Sequence, residues 1–253
     1  MASMAPPATG ASASLLLLGD GRLPAGGHAH SGGMEEAVRN GRVNDLGTVG
    51  EFLAGRLATS GLVAAALAAA ACEMQHPLVL LDGEADARTA SPALRAASRR
   101  QGRQLLRAGA ALWPAAALDE LAGLYHLAHP TRSGHVSGGQ GPPKRDRFAW
   151  GPHHPVALGA VARAAGLDGP GAALVAASWS VTGPASAAVR LLSLDPLAVH
   201  ALVARLAPSI DEVAAEGALA GGGAFEDLPC AAAPLLDVGA ERHATWEARL
   251  FAS

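Results

Sequence analysis

The side chains richest in chemistry stand near the start of the chain. Leu23-Pro24-Ala25-Gly26-Gly27-His28-Ala29-His30-Ser31-Gly32-Gly33-Met34-Glu35-Glu36 sets two histidines, a serine and two glutamates around one glycine-broken turn. His28, His30 and Glu35 are metal-ligating types, and His126-x-x-His129 repeats histidine at a spacing that shares a helical face. These pairs define one enzyme-like expectation, a helical metal-dependent hydrolase. Against it, ten histidines in 253 residues produce such pairs without selection, and no His-Glu-x-x-His or Cys-x-x-Cys pattern sharpens them. His153-His154, inside Gly-Pro-His-His-Pro, reads as a turn whose side chain caps the following helix. Nucleophilic catalysis has less support. There is no Gly-x-Ser-x-Gly elbow, and Cys72 lies in an apolar helical run where a buried, inert thiol is the default. Asp82, Glu84 and Asp86 read as solvated or capping carboxylates on a loop. A phosphate-binding loop needs lysine directly after its last glycine; the only lysine, Lys144, follows Pro143, so the chain is not itself a GTPase.

These groups must be positioned by helices. Leu46, Val49, Leu53 and Leu57 recur at helical spacing. That pattern, started by Asn44 or Asp45 and ended by Pro77, lasts about 30 residues or roughly 45 Å, with a bend expected at Gly55 or Gly61. Glu35 and Glu36 open a short helix closed at Asn40-Gly41. Further helices are expected from Ser91-Pro92 or Asp86 to Arg107, over 115–128, 155–165 and 170–180, from Asp195-Pro196 to about Arg205, and from Pro208-Ser209 onward. Residues 217–223 read as a flexible break. No run alternates β-branched residues as a sheet would. The expected fold is all-α, a single-domain bundle of about eight to ten helices, with a short strand allowed at 15–18. A disordered leader is expected over 1–13, the helical domain over 14–253, a flexible loop at 130–152 and a C-terminal tail at 241–253.

Bulk properties exclude several classes. Two cysteines, Cys72 and Cys230, are too few for a disulfide framework or zinc cluster and favour a reducing compartment. A net charge of −3 gives no footprint for nucleic acid or an anionic membrane. The longest apolar run, 62–72, is about half of what a bilayer span needs, and no export signal is legible. A cytoplasmic protein is expected.

The histidine-bearing turn resembles the N-terminal signature of the UreF family of urease accessory proteins, a Leu-Pro-x-Gly turn running through aromatic-x-His-Ser into Gly-Leu-Glu. Here it reads Leu23-Pro24-Ala25-Gly26, His28-Ala29-His30-Ser31 and Gly33-Met34-Glu35, with His28 where an aromatic residue is usual. Gln101-Gly102-Arg103-Gln104-Leu105-Leu106, His153-His154-Pro155-Val156-Ala157-Leu158-Gly159 and Ser186-Ala187-Ala188-Val189-Arg190-Leu191 are similar to further family blocks, as is the ending from His243 to Arg249-Leu250-Phe251-Ala252-Ser253. The blocks stand in the family's order. The leader and a longer basic stretch at 131–149 depart from it.

The resemblance implies a non-enzymatic all-α homodimer with no cofactor of its own. It would bridge the accessory protein UreD (also UreH) and the GTPase UreG and help deliver Ni²⁺ to apo-urease. Stimulation of GTP hydrolysis and simple scaffolding are both compatible with it. The residues it points to for partner binding are His28, His30, Ser31 and Glu35 in the turn, Arg190 after the small-residue run, and Arg249, Leu250 and Phe251 in the tail. Glu35 is expected on the surface, Arg249 to pin the tail near the 26–31 turn, and the 183–192 segment to form the dimer contact.

Overall fold

The computed structural model describes residues 11–21, 23–125 and 151–252. The expected 130–152 loop and the His126/His129 pair therefore lie almost wholly outside the described residues, as do residues 1–10. Eleven α-helices run through the described chain: α1 (Ala11–Gly19), α2 (Met34–Arg39), α3 (Leu46–Glu73), α4 (Leu78–Ala87), α5 (Pro92–Leu112), α6 (Ala116–Leu124), α7 (His154–Ala164), α8 (Gly169–Leu192), α9 (Pro196–Arg205), α10 (Ala207–Gly221) and α11 (Pro234–Ala244). The all-α expectation holds among the described residues, with one helix more than the expected range. Three helices fall where none was expected, α1, α4 and α11. The Leu15–Leu18 segment is helical from Ala11, because it has no neighbouring strand and buries Leu18 completely. Asp82-Gly83-Glu84 lies inside α4 rather than in a loop, since Leu78 and Leu81 dock one face of that helix in the core.

Local chemistry sets the boundaries. Asp45 caps α3 in a reciprocal box with Thr48, its carboxylate accepting from the Thr48 amide at 2.8 Å. Ser91, Asp168 and Asp195 cap α5, α8 and α9, each followed by proline in the first turn. The bend expected in α3 is a widened π-turn over Leu57–Gly61.

The core is built on α3, flanked by α7, α8 and α10. Ala65, Ala66, Ala68, Ala69, Ala70 and Ala71 of α3 are all buried. Such a face lets neighbouring backbones approach closely. Gly217 and Gly221, expected in a flexible break, instead sit within α10 against it: a Cβ on Gly217 would stand 2.7 Å from that of Ala65. These glycines are kept for contact, and the helix ends only at Gly222. By length and composition α3 and α8 are apolar enough to cross a membrane, yet half or more of each window is covered by neighbouring helices, as befits the centre of a bundle.

Helix α8 also outruns its expected end at Ser180 and passes through Pro184 to Leu192. A mid-helix proline deprives the carbonyl four residues earlier of its donor. That carbonyl belongs to Ser180, and the Arg56 Nε–H, at the start of the π-turn, donates to it at 3.1 Å. The orphaned acceptor is thus satisfied from α3, and the helix continues.

Candidate functional site

The N-terminal turn forms one wall of the site. Gly26, Gly32 and Gly33 have φ of +76°, +60° and +93°. Gly33 stands at the N-cap of α2, where a left-handed residue without Cβ lets the chain enter the helix directly beneath Leu236. The Glu35 amide donates to Ser31 Oγ at 3.3 Å, so Ser31 supports the first turn of α2.

Glu35 is not a surface charge. It is buried, and its carboxylate receives three donors from the far end of the chain: His243 Nε2 at 2.8 Å, the Leu250 amide at 2.7 Å and the Phe251 amide at 3.1 Å. Burial alone would raise its pKa. The His243 hydrogen bond, the two tail amides and the charge of His243 outweigh that and hold the carboxyl below the ordinary glutamate range. The expectation of an exposed Glu35 is corrected: the charge is spent within the chain, on holding the tail.

The tail is fixed along its length. Arg39 lies over the Trp246 ring at 4.1 Å, and the Ala252 amide donates to the Ala29 carbonyl at 2.6 Å. Phe251 is buried beneath the Arg190 guanidinium, 4.5 Å from its ring centroid, and Arg190 also donates to the His28 carbonyl at 3.3 Å. The tail therefore does lie against the 26–31 turn. Arg249 does not pin it: that side chain is exposed and makes no hydrogen bond among the described residues. Glu35, Arg190 and Arg39 hold the tail instead, while Arg249 and Leu250, the latter 77% exposed, face outward.

Of the residues singled out from sequence, the fold brings Ser31, Glu35, Arg190 and Phe251, with the His28 backbone, into one latch. His30 is buried, its pKa pulled down to about 4 by burial and then by Arg100. His28 is exposed. The metal-ligand set His28, His30 and Glu35 does not converge, and among the described residues no three His, Cys, Asp or Glu side chains are placed to hold an ion. The small-residue run fares differently from its expectation as well. Ala185, Ala187 and Ala188 are buried within the chain's own core, leaving Ser186 and Arg190 outside. Ala187 is therefore not a dimer contact.

A second polar cluster supports the turn before α7. Asp82 accepts from Arg99 at 2.8 Å and from the His153 amide at 2.6 Å, and Asp86 accepts from Arg99 at 2.6 Å and His153 Nε2 at 2.9 Å. Ser98 Oγ receives the His154 amide at 3.0 Å. His153 itself makes no side-chain cap. The helix start is capped from α4 and α5, so of the carboxylates read as solvated or capping, Asp82 caps this helix and Asp86 braces it through Arg99 and His153. Cys72 is buried, and burial, followed by Glu73, pushes its thiol up to about 12, which leaves it unreactive.

Arg39 and Arg56 were invisible as site residues in the sequence, and His243 stood only as the first residue of the family-like ending. His243 and Glu35 are 208 positions apart, and no local pattern announces such a pair.

A family model described as UreF matches residues 43–207. The chain is similar to a urease accessory protein UreF of Mycolicibacterium vanbaalenii, with 43% identity over 244 residues covering 95% of this chain and 98% of that protein. It is also 44% identical over 242 residues to the corresponding protein of Mycobacterium sp. strain JLS, with the same coverages of 95% and 98%. A urease accessory protein UreF of Mycobacterium tuberculosis strain H37Rv is 38% identical over 231 residues, 91% of this chain and 93% of that one.

Proposed function

The chain belongs to the UreF family of urease accessory proteins, and from that premise we propose that it works as a non-enzymatic adaptor, bridging UreD and the GTPase UreG while Ni²⁺ is delivered to apo-urease. The observation that carries this reading is similarity to urease accessory proteins along nearly the whole chain. The geometry supports an adaptor. The latched C-terminal tail turns Arg249 and Leu250 outward beside the glycine-rich turn, offering a charge and an apolar side chain on a pre-ordered backbone. Pre-ordering lowers the entropy cost of binding. On this reading the tail face meets UreD.

The adaptor acts by preference. It shifts its partner's nucleotide and metal state only as far as its affinity differs between those states. The same proposal includes a homodimer and a cytoplasmic location, where GTP and apo-urease are available. It is tested in a urease-producing cell lacking this chain, by purifying urease and measuring its nickel content and turnover. Nickel-poor, inactive urease that regains both when the chain is restored is the expected result. Fully loaded urease without the chain overturns the reading.

A further inference from the structure

One turn of α8 gathers several features that weaken a helix. Pro184 leaves the Ser180 carbonyl without its helical donor. The hydroxyls of Ser180 and Thr182 donate to carbonyls of the preceding turn, Ala177 at 2.7 Å and Ser178 at 3.0 Å, bonds that favour bending. Gly183 adds backbone freedom, and packing does not require it: a Cβ there would meet nothing within 4 Å, unlike one on Gly217 or Gly221. Helix α3 is irregular at the same level, since a Cβ on Gly61, the last residue of its π-turn, would stand 2.7 Å from Ser180 Oγ. Proline, glycine and a π-turn are where helices bend.

The far side of this break carries the latch. Residues 185–192 include Arg190, which donates to the His28 carbonyl and covers the Phe251 ring. Ala185, Ala187 and Ala188 stay in the core, so the available motion is a tilt of the segment. A cavity of about 500 Å³, walled by Thr182, Gly183, Pro184 and Ser186, lies beside the break and leaves room for that tilt. Arg56 braces the break from α3, its Nε–H replacing the missing donor at the Ser180 carbonyl. The N-terminal turn closes over the same point: a Cβ on Gly32 would stand 2.9 Å from Pro184 Cγ and 3.3 Å from Arg56 Nε. The turn that receives Arg190 therefore also touches the brace.

We propose that residues 180–184 form a hinge in α8 braced by Arg56, and that Arg56 thereby positions Arg190 and, through it, the C-terminal tail. This coupling rests on the latch alone; the adaptor reading could fail without affecting it. The test is amide hydrogen exchange of the full chain, read at Phe251 and Ala252 in wild type, Arg56→Met, Pro184→Ala and the double variant. Arg56→Met keeps an unbranched stem and removes the donor. Pro184→Ala returns a helical N–H to the Ser180 carbonyl, which makes the brace redundant. Arg56→Met should speed exchange at both amides at least about tenfold while residues 172–177 keep their protection. In the Pro184→Ala background the same substitution should change it less than about twofold. Unchanged exchange in Arg56→Met overturns the proposal, and so does equal acceleration in both backgrounds, which would reduce Arg56 to local packing. Should Arg56→Met not fold, the helical spectrum of the double variant decides: recovery supports the hinge, and failure to recover overturns it.

Discussion

Replacing Glu35 with glutamine keeps the volume of the side chain while removing its charge and one acceptor. In the native latch one carboxylate oxygen takes the Leu250 amide, and the other takes both His243 and the Phe251 amide. Glutamine has one carbonyl oxygen to offer. Its best orientation keeps the pair at His243 and Phe251 and turns the NH₂ group toward the Leu250 N–H, donor against donor. Hydrogen bonds to a charged group contribute about 1.5–3 kcal/mol and neutral ones about 0.5–1.5, and an unpaired donor costs a further 1–3. The sum is about 3 kcal/mol taken from the docked tail. The tail can leave the body without unfolding it, so the loss is local. At about 1.4 kcal/mol per factor of ten, amide hydrogen exchange at Leu250 and Phe251 should accelerate on the order of a hundredfold in Glu35→Gln, while the core alanines of α3 keep their protection. Unchanged exchange at those two amides would refute the latch. Loss of protection throughout the chain would show instead that Glu35 holds the whole fold.

The same carboxyl gives a pH dependence. Its folded pKa lies below the unfolded one, so its contribution is complete above the ordinary glutamate value of about 4.3 and is lost as pH falls through the folded value. Tail exchange, corrected for its intrinsic rate, should be insensitive to Glu35 between pH 5 and 7, on the order of two units of plateau, and rise below about 4; a rise beginning near neutrality would contradict this. Gly159→Ala would place a Cβ 2.6 Å from that of Ala71 and should destabilise the chain by about 1–3 kcal/mol in urea unfolding, where an unshifted midpoint would mean that α3 and α7 are less tightly packed than described. Asp82→Ala leaves Arg99 and the His153 amide short of a partner, and a loss near 3 kcal/mol by the same method is expected, with Asp86 retaining Arg99 and limiting the damage.

Helix starts were legible because each is written in adjacent residues: Asn44-Asp45, Ser91-Pro92, Asp195-Pro196. The ends were harder. Pro184 reads locally as a stop, and only Arg56, 124 positions from the carbonyl it serves, permits the helix to continue. Gly217 and Gly221 read as flexibility until the alanine face opposite them is known. The turn and tail were identified through the resemblance, which marked Glu35, Arg190 and Phe251 without revealing that they touch one another. The first-turn position of Glu35 and the resemblance suggested a partner-facing charge, whereas its burial depends on three donors from the last eleven residues. The error over Arg249 has the same origin. A charged residue in a docked tail looks like the anchor, but here the anchor is backbone amide to buried carboxylate.

The central claim is that this chain joins its partners through the face that the latched tail completes. It is tested most directly by tagging the intact chain and a version ending before Trp246, expressing each with the UreD and UreG of the same cell, and quantifying what co-purifies. The intact chain should bring down both partners. The shortened chain should keep its helical spectrum and lose UreD. Equal recovery of UreD by a folded, shortened chain would contradict the account, and would reduce the tail to packing within the chain itself.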